Sequence, residues 1–301
     1  MKAVTNKNIQ FILAGFFFAI LWPSAAVTTK IALQYSQPFV IAVTRFFFAG
    51  LLMLLIAHVI LRKKLPQQKQ WKQLVIYGFL NITTYLGLYV LAMQQVSAGL
   101  GSLSIATNPV FISLIGALWF KHTLKPMVLI SLVLCFTGVV IAAYPLLLNS
   151  YATPLGLLLL MVSMLCYSAG AIYFSKNDWG NLHILTINGW QTIFGGILLL
   201  PFALFFYDGS KNNFTTQWQL CILWLAIPVS ILAVQLWLFL LSDNPVKASF
   251  WLFLCPVVGF VLAALVMKEP LSWYTLAGVL FVIGGLYLVF KKKNKVTPIN
   301  K

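Results

Sequence analysis

Residues 109–124 read PVFISLIGALWFKHTL, and residues 256–271 read PVVGFVLAALVMKEPL. The second stretch lies 147 positions after the first, and the two share Pro-Val at the start and Lys-x-x-Leu at the end. The same shift places Gly138 on Gly285. Matches that keep one spacing indicate that the chain contains one unit twice. In so apolar a chain, a duplicated unit is typical of a membrane transporter.

The composition indicates that the solvent of this chain is lipid. Hydrophobic residues make up 61% of its 301 residues and charged residues only 8%, which is too few to cover a water-soluble domain. About 20 apolar residues span a bilayer as a helix, and continuous runs favour helices over strands. Ten such runs are present: 9–30, 38–61, 72–92, 97–120, 126–148, 154–174, 183–206, 218–241, 246–267 and 272–290.

Ten spans divide into two sets of five, which join near residues 149–153. A unit with an odd number of crossings re-enters the membrane from the opposite side when it is repeated, so the second half is predicted to be inverted. We therefore predict an all-α, polytopic membrane protein of ten transmembrane helices. Its two inverted five-helix repeats are residues 1–149 and residues 150–301.

The basic residues indicate the orientation of the chain in the membrane. With the N-terminus in the cytoplasm, 16 Lys and Arg residues fall on the inner side, three fall on the outer side, and Arg45 lies within a span. This distribution follows the positive-inside rule. The basic residues that give the net charge of +16 are therefore predicted to orient the chain and to contact anionic lipid headgroups. We predict a multi-pass protein of the cell inner membrane with both termini cytoplasmic and no nucleic-acid partner.

The sequence offers few groups for catalysis. The four cysteines fall inside predicted spans without a CxxC or Cys/His spacing, which indicates buried thiols. The four acidic residues fall in loops or at span ends, so no intramembrane carboxylate is available as a proton carrier. Walker, GxSxG and zincin motifs are absent from the sequence. We predict no catalytic residue, no metal and no cofactor, with a polytopic membrane enzyme as the alternative class.

Short motifs in a fixed order resemble the EamA-type permeases of the drug/metabolite transporter superfamily. They are Leu21-Trp22, Lys30, Pro38, Arg45-Phe46, Tyr85, Ala92, Ser97-Ala98, Pro109-Val110, Gly138, Gln191, Pro256, Lys268-Glu269-Pro270-Leu271 and Gly284-Gly285. Two positions depart from the family pattern. Pro23 stands where the family usually has Gly, and His122 stands where it usually has Glu.

The resemblance implies a permease for small organic solutes that exports amino acids or related metabolites by alternating access. The alternatives in the same class are a multidrug or toxic-compound exporter and a lipid-linked flippase. The expected partners are a small-molecule solute and membrane lipids, and the expected state is a monomer or weak homodimer.

Uncharged polar and aromatic residues inside the spans are the candidates for substrate binding. Amides orient a small amphipathic solute, and rings cover its apolar part. The same residue types also make interhelical hydrogen bonds, which is the alternative for each of them. The candidates are Trp22, Asn81, Tyr85, Asn108, Tyr167, Gln235 and Trp251.

Four further residues are predicted to serve gating or structure: Lys30, Arg45, Pro109 and Pro256. Arg45 lies within span two, where burial of an Arg costs about 2.5–3.5 kcal/mol at a helix centre. It can bind a substrate carboxylate, cap helix carbonyls or extend to the outer headgroups. Lys30 can serve as an anchor, an interhelical contact or an entry-site cation. Each proline removes a backbone donor near the middle of its span, which predicts a kink there.

Overall fold

The computed structural model describes residues 2–119, 126–149, 151–243 and 245–293. Within these ranges the chain is helical with short connections, and no β-strand is present. A helix satisfies its backbone hydrogen bonds within one segment, which is what a lipid environment requires of a continuous apolar run. The predicted all-α class is confirmed.

Prolines and threonines mark several helix starts. Pro38 and Pro154 are the first residues of their helices, and the hydroxyls of Thr153 and Thr215 cap helix N-termini. The α-helices of the described ranges are α1 (Lys2–Ala32), α2 (Pro38–Leu54), α3 (Lys69–Gly78), α4 (Gly87–Met93), α5 (Ala98–Ile105), α6 (Asn108–Trp119), α7 (Pro126–Leu148), α8 (Pro154–Lys176), α9 (Ile184–Phe205), α10 (Thr216–Trp224), α11 (Val234–Asp243), α12 (Pro245–Met267) and α13 (Trp273–Lys293). Three π-helical segments (Leu55–Ile60, Phe79–Leu86 and Leu225–Ala233) and a short 3-10 helix (Gly209–Lys211) lie between them.

Eight helical stretches in the described residues are long and apolar enough to cross a membrane. They are Ile9–Ala32, Pro38–Ile60, Lys69–Met93, Ala98–Gly116, Leu129–Leu148, Pro154–Lys176, Ile184–Phe205 and Thr216–Trp237. Each of them overlaps one of the first eight runs predicted from the sequence. Two shorter apolar helices, Leu254–Met267 and Trp273–Gly285, fall in the last two predicted runs. The count of ten spans therefore stays a prediction.

Large apolar side chains cover the outer faces of the helices. Phe17, Leu148, Phe205, Leu265 and Trp273 are each more than half exposed. So many exposed large apolar side chains are unusual for a soluble protein. These faces therefore fit contact with lipid.

The chain folds into two compact units. The first unit comprises Met1–Val27, Ser97–Ala152 and Ala233–Lys301, and the second comprises Thr28–Val96 and Thr153–Leu232. Each unit therefore contains segments from both halves of the sequence.

In the first unit, α7 and α13 approach each other closely through small residues. A Cβ added to Gly138 would lie 2.6 Å from the carbonyl oxygen of Gly278, and one added to Gly285 would lie 2.8 Å from that of Ser131. Residues with higher numbers in α7 contact residues with lower numbers in α13, so the two helices run antiparallel. Small residues allow this backbone approach, as in other membrane helix pairs.

In the second unit, α2 and α9 pack in the same way. A Cβ added to Gly50 would lie 2.8 Å from the side chain of Ile193, and one added to Gly189 would lie 2.6 Å from that of Leu54. Here too, residues with higher numbers in α2 contact residues with lower numbers in α9, so the two helices are antiparallel.

Two of the π-helical segments occupy corresponding places in the two sequence halves. Phe79–Leu86 and Leu225–Ala233 overlap after the shift of 147 residues. In each segment a hydroxyl donates to the carbonyl five residues earlier, Thr84 at 3.1 Å and Ser230 at 2.9 Å. Because π-helical turns are rare and frequent at functional sites, these segments are where a site is expected.

Some predicted features lie outside the described residues. His122, where the sequence departs from the family pattern, is one of them, and Ser150 at the predicted join of the halves is another. Lys121, Lys125 and the terminal Lys301 are also outside. The placement of the basic residues on the inner side stays a prediction for the whole chain.

Candidate functional site

Arg45 of α2 lies inside the second unit and is only 5% exposed. Its Nε donates a hydrogen bond to the Oγ of Ser230 at 3.0 Å, and its guanidinium carbon lies 5.6 Å from the centroid of the Phe46 ring. The Ser230 hydroxyl donates in turn to the carbonyl of Leu225 within the π-helical segment. The side chain therefore points into the protein rather than toward the headgroups.

Tyr85 and Tyr89 lie in the neighbourhood of this guanidinium, and Tyr167 contacts Tyr85. The rings of Tyr85 and Tyr167 meet edge to face at 4.9 Å, and those of Tyr85 and Tyr89 are 6.2 Å apart. No hydrogen bond joins the hydroxyls of Tyr85 or Tyr89 to Arg45 in the described residues. The hydroxyl of Tyr89 is buried and has no hydrogen-bond partner among the described residues. We call Arg45, Tyr85, Tyr89, Tyr167 and Ser230 the arginine–tyrosine cluster.

Amide groups form a second polar contact in this unit. Asn81 Nδ2 donates to Gln191 Oε1 at 3.1 Å, and Gln191 Nε2 donates to Asn188 Oδ1 at 3.2 Å. The Nδ2 of Asn188 is buried without a partner in the described part of the chain. Asn81 thus joins its π-helical segment to α9.

In the first unit, Trp22 packs with other aromatic residues against one apolar core. Phe18 stacks on Trp237 at 5.0 Å and lies 5.7 Å from Trp22, and Trp251 packs against the same core. The indole N–H of Trp22 and the Nε2 of Gln235 are buried and find no hydrogen-bond partner in the described ranges. Unpaired donors in an aromatic setting are typical of a site for a polar ligand group.

The two predicted prolines have different surroundings. Helix α5 ends at Ile105 and α6 begins at the buried Asn108, so Pro109 is the second residue of a new helix. The backbone N–H of Val110 donates to the carbonyl of Thr107 at 3.0 Å, which closes the turn at the break. Pro256, in contrast, lies within the continuous helix α12.

Glu269 has a structural contact that the sequence alone did not indicate. Its Oε1 accepts from the backbone N–H of Ala98 at 2.6 Å and its Oε2 from that of Gly99 at 3.1 Å, while Ser97 Oγ accepts from Leu100 N–H at 3.2 Å. These are the first donors of α5, which have no partner within the helix. An acidic side chain also matches the positive end of the helix dipole. Only the three-dimensional fold brings Glu269 to residues 170 positions away.

Lys30 contacts the other end of a helix. Its Nζ donates to the carbonyl oxygens of Met93 at 2.9 Å and Val96 at 2.7 Å, just at the end of α4. A cation is favourable at a helix C-terminus because the last carbonyls are unpaired there. Lys30 therefore makes an interhelical contact.

Two loop groups outside the spans have shifted pKa values. Hydrogen bonds from Ser210 hold the pKa of the exposed Asp208 carboxyl below its ordinary value. Partial burial and, second, the nearby Lys63 lower the pKa of His183. Neither residue belongs to the arginine–tyrosine cluster.

The structure thus brings together only part of the predicted set. Tyr85 lies in the neighbourhood of Arg45 and its ring contacts that of Tyr167, and Asn81 lies on the same π-helical segment as Tyr85. Sequence reasoning missed the contact of Ser230 with Arg45, since the two are 185 positions apart. In the described ranges, no group of three or more His, Cys, Asp or Glu side chains is placed to hold a metal ion.

Comparison with known proteins identifies transporters as relatives. Uncharacterized transporter YvbV of Bacillus subtilis is 27% identical over 294 residues, covering 97% of this chain and 94% of the relative. Protein PecM of Dickeya dadantii is 27% identical over 298 residues, covering 95% and 96%. An uncharacterized transporter of Archaeoglobus fulgidus is 27% identical over 281 residues, covering 90% and 95%.

A solved crystal structure with 16% sequence identity superposes with a TM-score of 0.64, covering 94% of this chain and 98% of the other, and it supports the fold. Residues 9–144 and 154–291 match the model of the EamA-like transporter family. These matched segments take up nearly all of an apolar, helical chain. The protein therefore belongs to the EamA-like transporter family of the drug/metabolite transporter superfamily and is a multi-pass membrane permease.

Proposed function

We propose that this permease exports amino acids or related metabolites across the cell inner membrane by alternating access. The observation that carries the proposal is the arginine–tyrosine cluster, in a chain whose relatives are transporters. Polar and ionisable groups are costly within a membrane and usually mark a substrate pathway. Aromatic rings beside them suit a small amphipathic solute.

We further propose ten spans arranged as two inverted five-helix repeats, 1–149 and 150–301, with both termini cytoplasmic. Helices α7 and α13 correspond under the shift of 147 residues, and α2 and α9 correspond under a shift of 146. Both pairs pack antiparallel, which supports an inverted relation between the halves. The excess of basic residues on the predicted inner side supports the orientation.

The proposed substrate contacts are Asn81, Tyr85 and Tyr167 in the second unit and Trp22, Asn108, Gln235 and Trp251 in the first. The unpaired N–H groups of Trp22 and Gln235 support this choice, because buried donors ordinarily have acceptors. Lys30, Pro109 and Pro256 are proposed as structural or gating positions. Glu269 holds the start of α5, so it serves structure rather than proton coupling in this proposal.

Solute counterflow into proteoliposomes tests the function. Vesicles that contain the purified protein and an unlabelled amino acid should accumulate the labelled amino acid above the level of empty vesicles. Tyr85→Ala and Gln235→Ala should reduce this flux, whereas Tyr144→Ala, at a ring more than half exposed on α7, should not. Absence of flux for every amino acid and related metabolite would overturn the proposal. Flux of hydrophobic cations alone would favour the multidrug alternative.

A further inference from the structure

Arg45 is a buried cation without a protein counterion. In the described residues no carboxylate pairs with it, and its single hydrogen bond goes from Nε to Ser230. The two described carboxylates nearest to it in the sequence lie in loops: Asp178 accepts from Gly180 N–H, and Asp208 pairs with Lys211. Glu269 is bonded to the start of α5. The positive charge of Arg45 is therefore not neutralised by any side chain that the structure describes.

The contacts of Arg45 fix its orientation and leave its outer donors unused. The Ser230 hydroxyl, itself bonded to a carbonyl of the π-helical segment, holds Nε, and the Phe46 ring lies beside the guanidinium. A guanidinium carries five N–H donors in a rigid fork. The two terminal NH₂ groups, with four of these donors, have no hydrogen-bond acceptor among the described residues.

Among the described residues, the hydroxyl of Tyr89 is a further unpaired donor in the arginine–tyrosine cluster. Tyr89 Oη is buried without a partner in the described ranges, the Tyr89 ring lies 6.2 Å from that of Tyr85, and both tyrosines lie in the neighbourhood of Arg45. Buried donors nearly always have acceptors. A group of N–H and O–H donors around one positive charge, with no acceptor supplied by the protein, is complementary to an oxyanion.

We propose that the transported solute carries a carboxylate that binds the terminal NH₂ groups of Arg45 and the hydroxyl of Tyr89, while the rings of Tyr85 and Tyr167 cover its apolar part. This proposal rests on the proposed transport function and defines the substrate class. The planar fork of a guanidinium matches a carboxylate with two parallel hydrogen bonds.

One cation in the cluster suits a single negative charge better than a phosphate dianion. Lys30, a partly buried cation of the same unit, already donates to the carbonyls of Met93 and Val96. The site would equally reject hydrophobic cations, because the charge of Arg45 repels them. This distinguishes a carboxylate carrier from a multidrug exporter.

Paired ligands that differ only in charge test the proposal. The purified full-length protein is mixed with α-amino acids and simple monocarboxylates, each beside its primary amide, and with sodium chloride, and the thermal unfolding temperature is measured. The carboxylates should raise this temperature with concentration, as ligands that bind only the folded state do, and their amides should not. Equal shifts for acids and amides, no shift for any acid, or an equal shift with chloride would each overturn the proposal.

Two substitutions locate the site. Arg45→Gln should weaken carboxylate binding at least tenfold. Because loss of Arg45 can disturb folding, Tyr89→Phe is the decisive variant: it removes one hydroxyl that makes no hydrogen bond to the described chain. Tyr89→Phe should leave the ligand-free unfolding temperature unchanged or higher and weaken carboxylate binding about three- to tenfold. Unchanged affinity in Tyr89→Phe would overturn the assignment.

Failure of this proposal can be separated from failure of the transport function. If the proteoliposomes move neutral or cationic solutes and acids do not bind, the protein is a permease without a carboxylate site. If the proteoliposomes move no solute, whichever way the protein is inserted in the vesicle membrane, the transport proposal itself is wrong.

Discussion

Within the close contact between α7 and α13, Gly278 is the position where one added methyl group should matter most. A Cβ at Gly278 would overlap the carbonyl oxygen of Gly138 and lie 2.6 Å from the Cβ and 2.8 Å from the backbone nitrogen of Ala142. Two of these three atoms are backbone atoms, which no rotamer change can move aside. Gly284 on the same helix is the matched control, because a Cβ there would meet nothing within 4 Å.

The magnitude follows from these distances. Carbon atoms pack best at about 3.5–4.0 Å, so α7 and α13 would have to separate by roughly 1 Å to accept the methyl group. Overpacking of this kind costs about 1–3 kcal/mol. Both Gly→Ala changes also gain about 0.5–1 kcal/mol of helix stability, which cancels in the comparison. The free energy of unfolding of Gly278→Ala should therefore be about 1–3 kcal/mol below that of Gly284→Ala.

Equilibrium unfolding in mixed micelles with increasing sodium dodecyl sulfate, followed by circular dichroism, measures this difference. Gly284→Ala should be as stable as the wild type or slightly more stable. If Gly278→Ala and Gly284→Ala unfold at the same detergent fraction, the inferred contact between the two helices is wrong.

Three further variants test the helix ends and one loop. Glu269→Gln should lower the free energy of unfolding by about 1–3 kcal/mol, since a charge-assisted bond to the N-terminus of α5 is lost; Asp178→Asn, at an exposed acid, is the control, and equal stability of the two variants would refute the cap. Lys30→Met should lower the free energy of unfolding by a similar amount and expose the end of α4 to protease cleavage. An unchanged cleavage rate would contradict the role of Lys30 at that helix end. Because hydrogen bonds from Ser210 lower its pKa, Asp208 should stabilise the folded protein above the ordinary carboxyl range and lose this contribution as the pH falls through the lowered value. The free energy of unfolding of Asp208→Asn, measured as a function of pH, should therefore equal that of the wild type at the acid end of the range and be lower at neutral pH. A difference between the two proteins that is the same at every pH would refute this.

The helical class and the positions of the first eight spans could be predicted from the sequence because they depend on local properties. Long apolar runs must be helical in lipid, and Pro38 and Pro154 mark the starts of two of them. Single-residue roles could not be predicted in this way. Pro109 begins a new helix while Pro256 is accommodated within one, although both occupy the same place in the repeat.

The candidate site was only partly visible in the sequence for the same reason. Tyr85 and Tyr167 could be selected because polar aromatic residues are unusual within apolar runs. The partner of Arg45 could not be selected, because a serine within a span has no distinctive signal. Ser230 lies in a π-helical segment and is 185 positions from Arg45 in the sequence, so only the tertiary fold brings the two side chains together.

The partnership of α2 with α9 also has a consequence for biosynthesis. About 130 residues separate the end of α2 from the start of α9, and ribosomes add about 5–20 residues per second. A newly made α2 therefore waits roughly ten seconds in the bilayer before the helix that covers Gly50 has been translated. During that interval Arg45 has neither Ser230 nor the packed protein around it, so the nascent chain depends on lipid headgroups, water or the insertion machinery to shelter this charge.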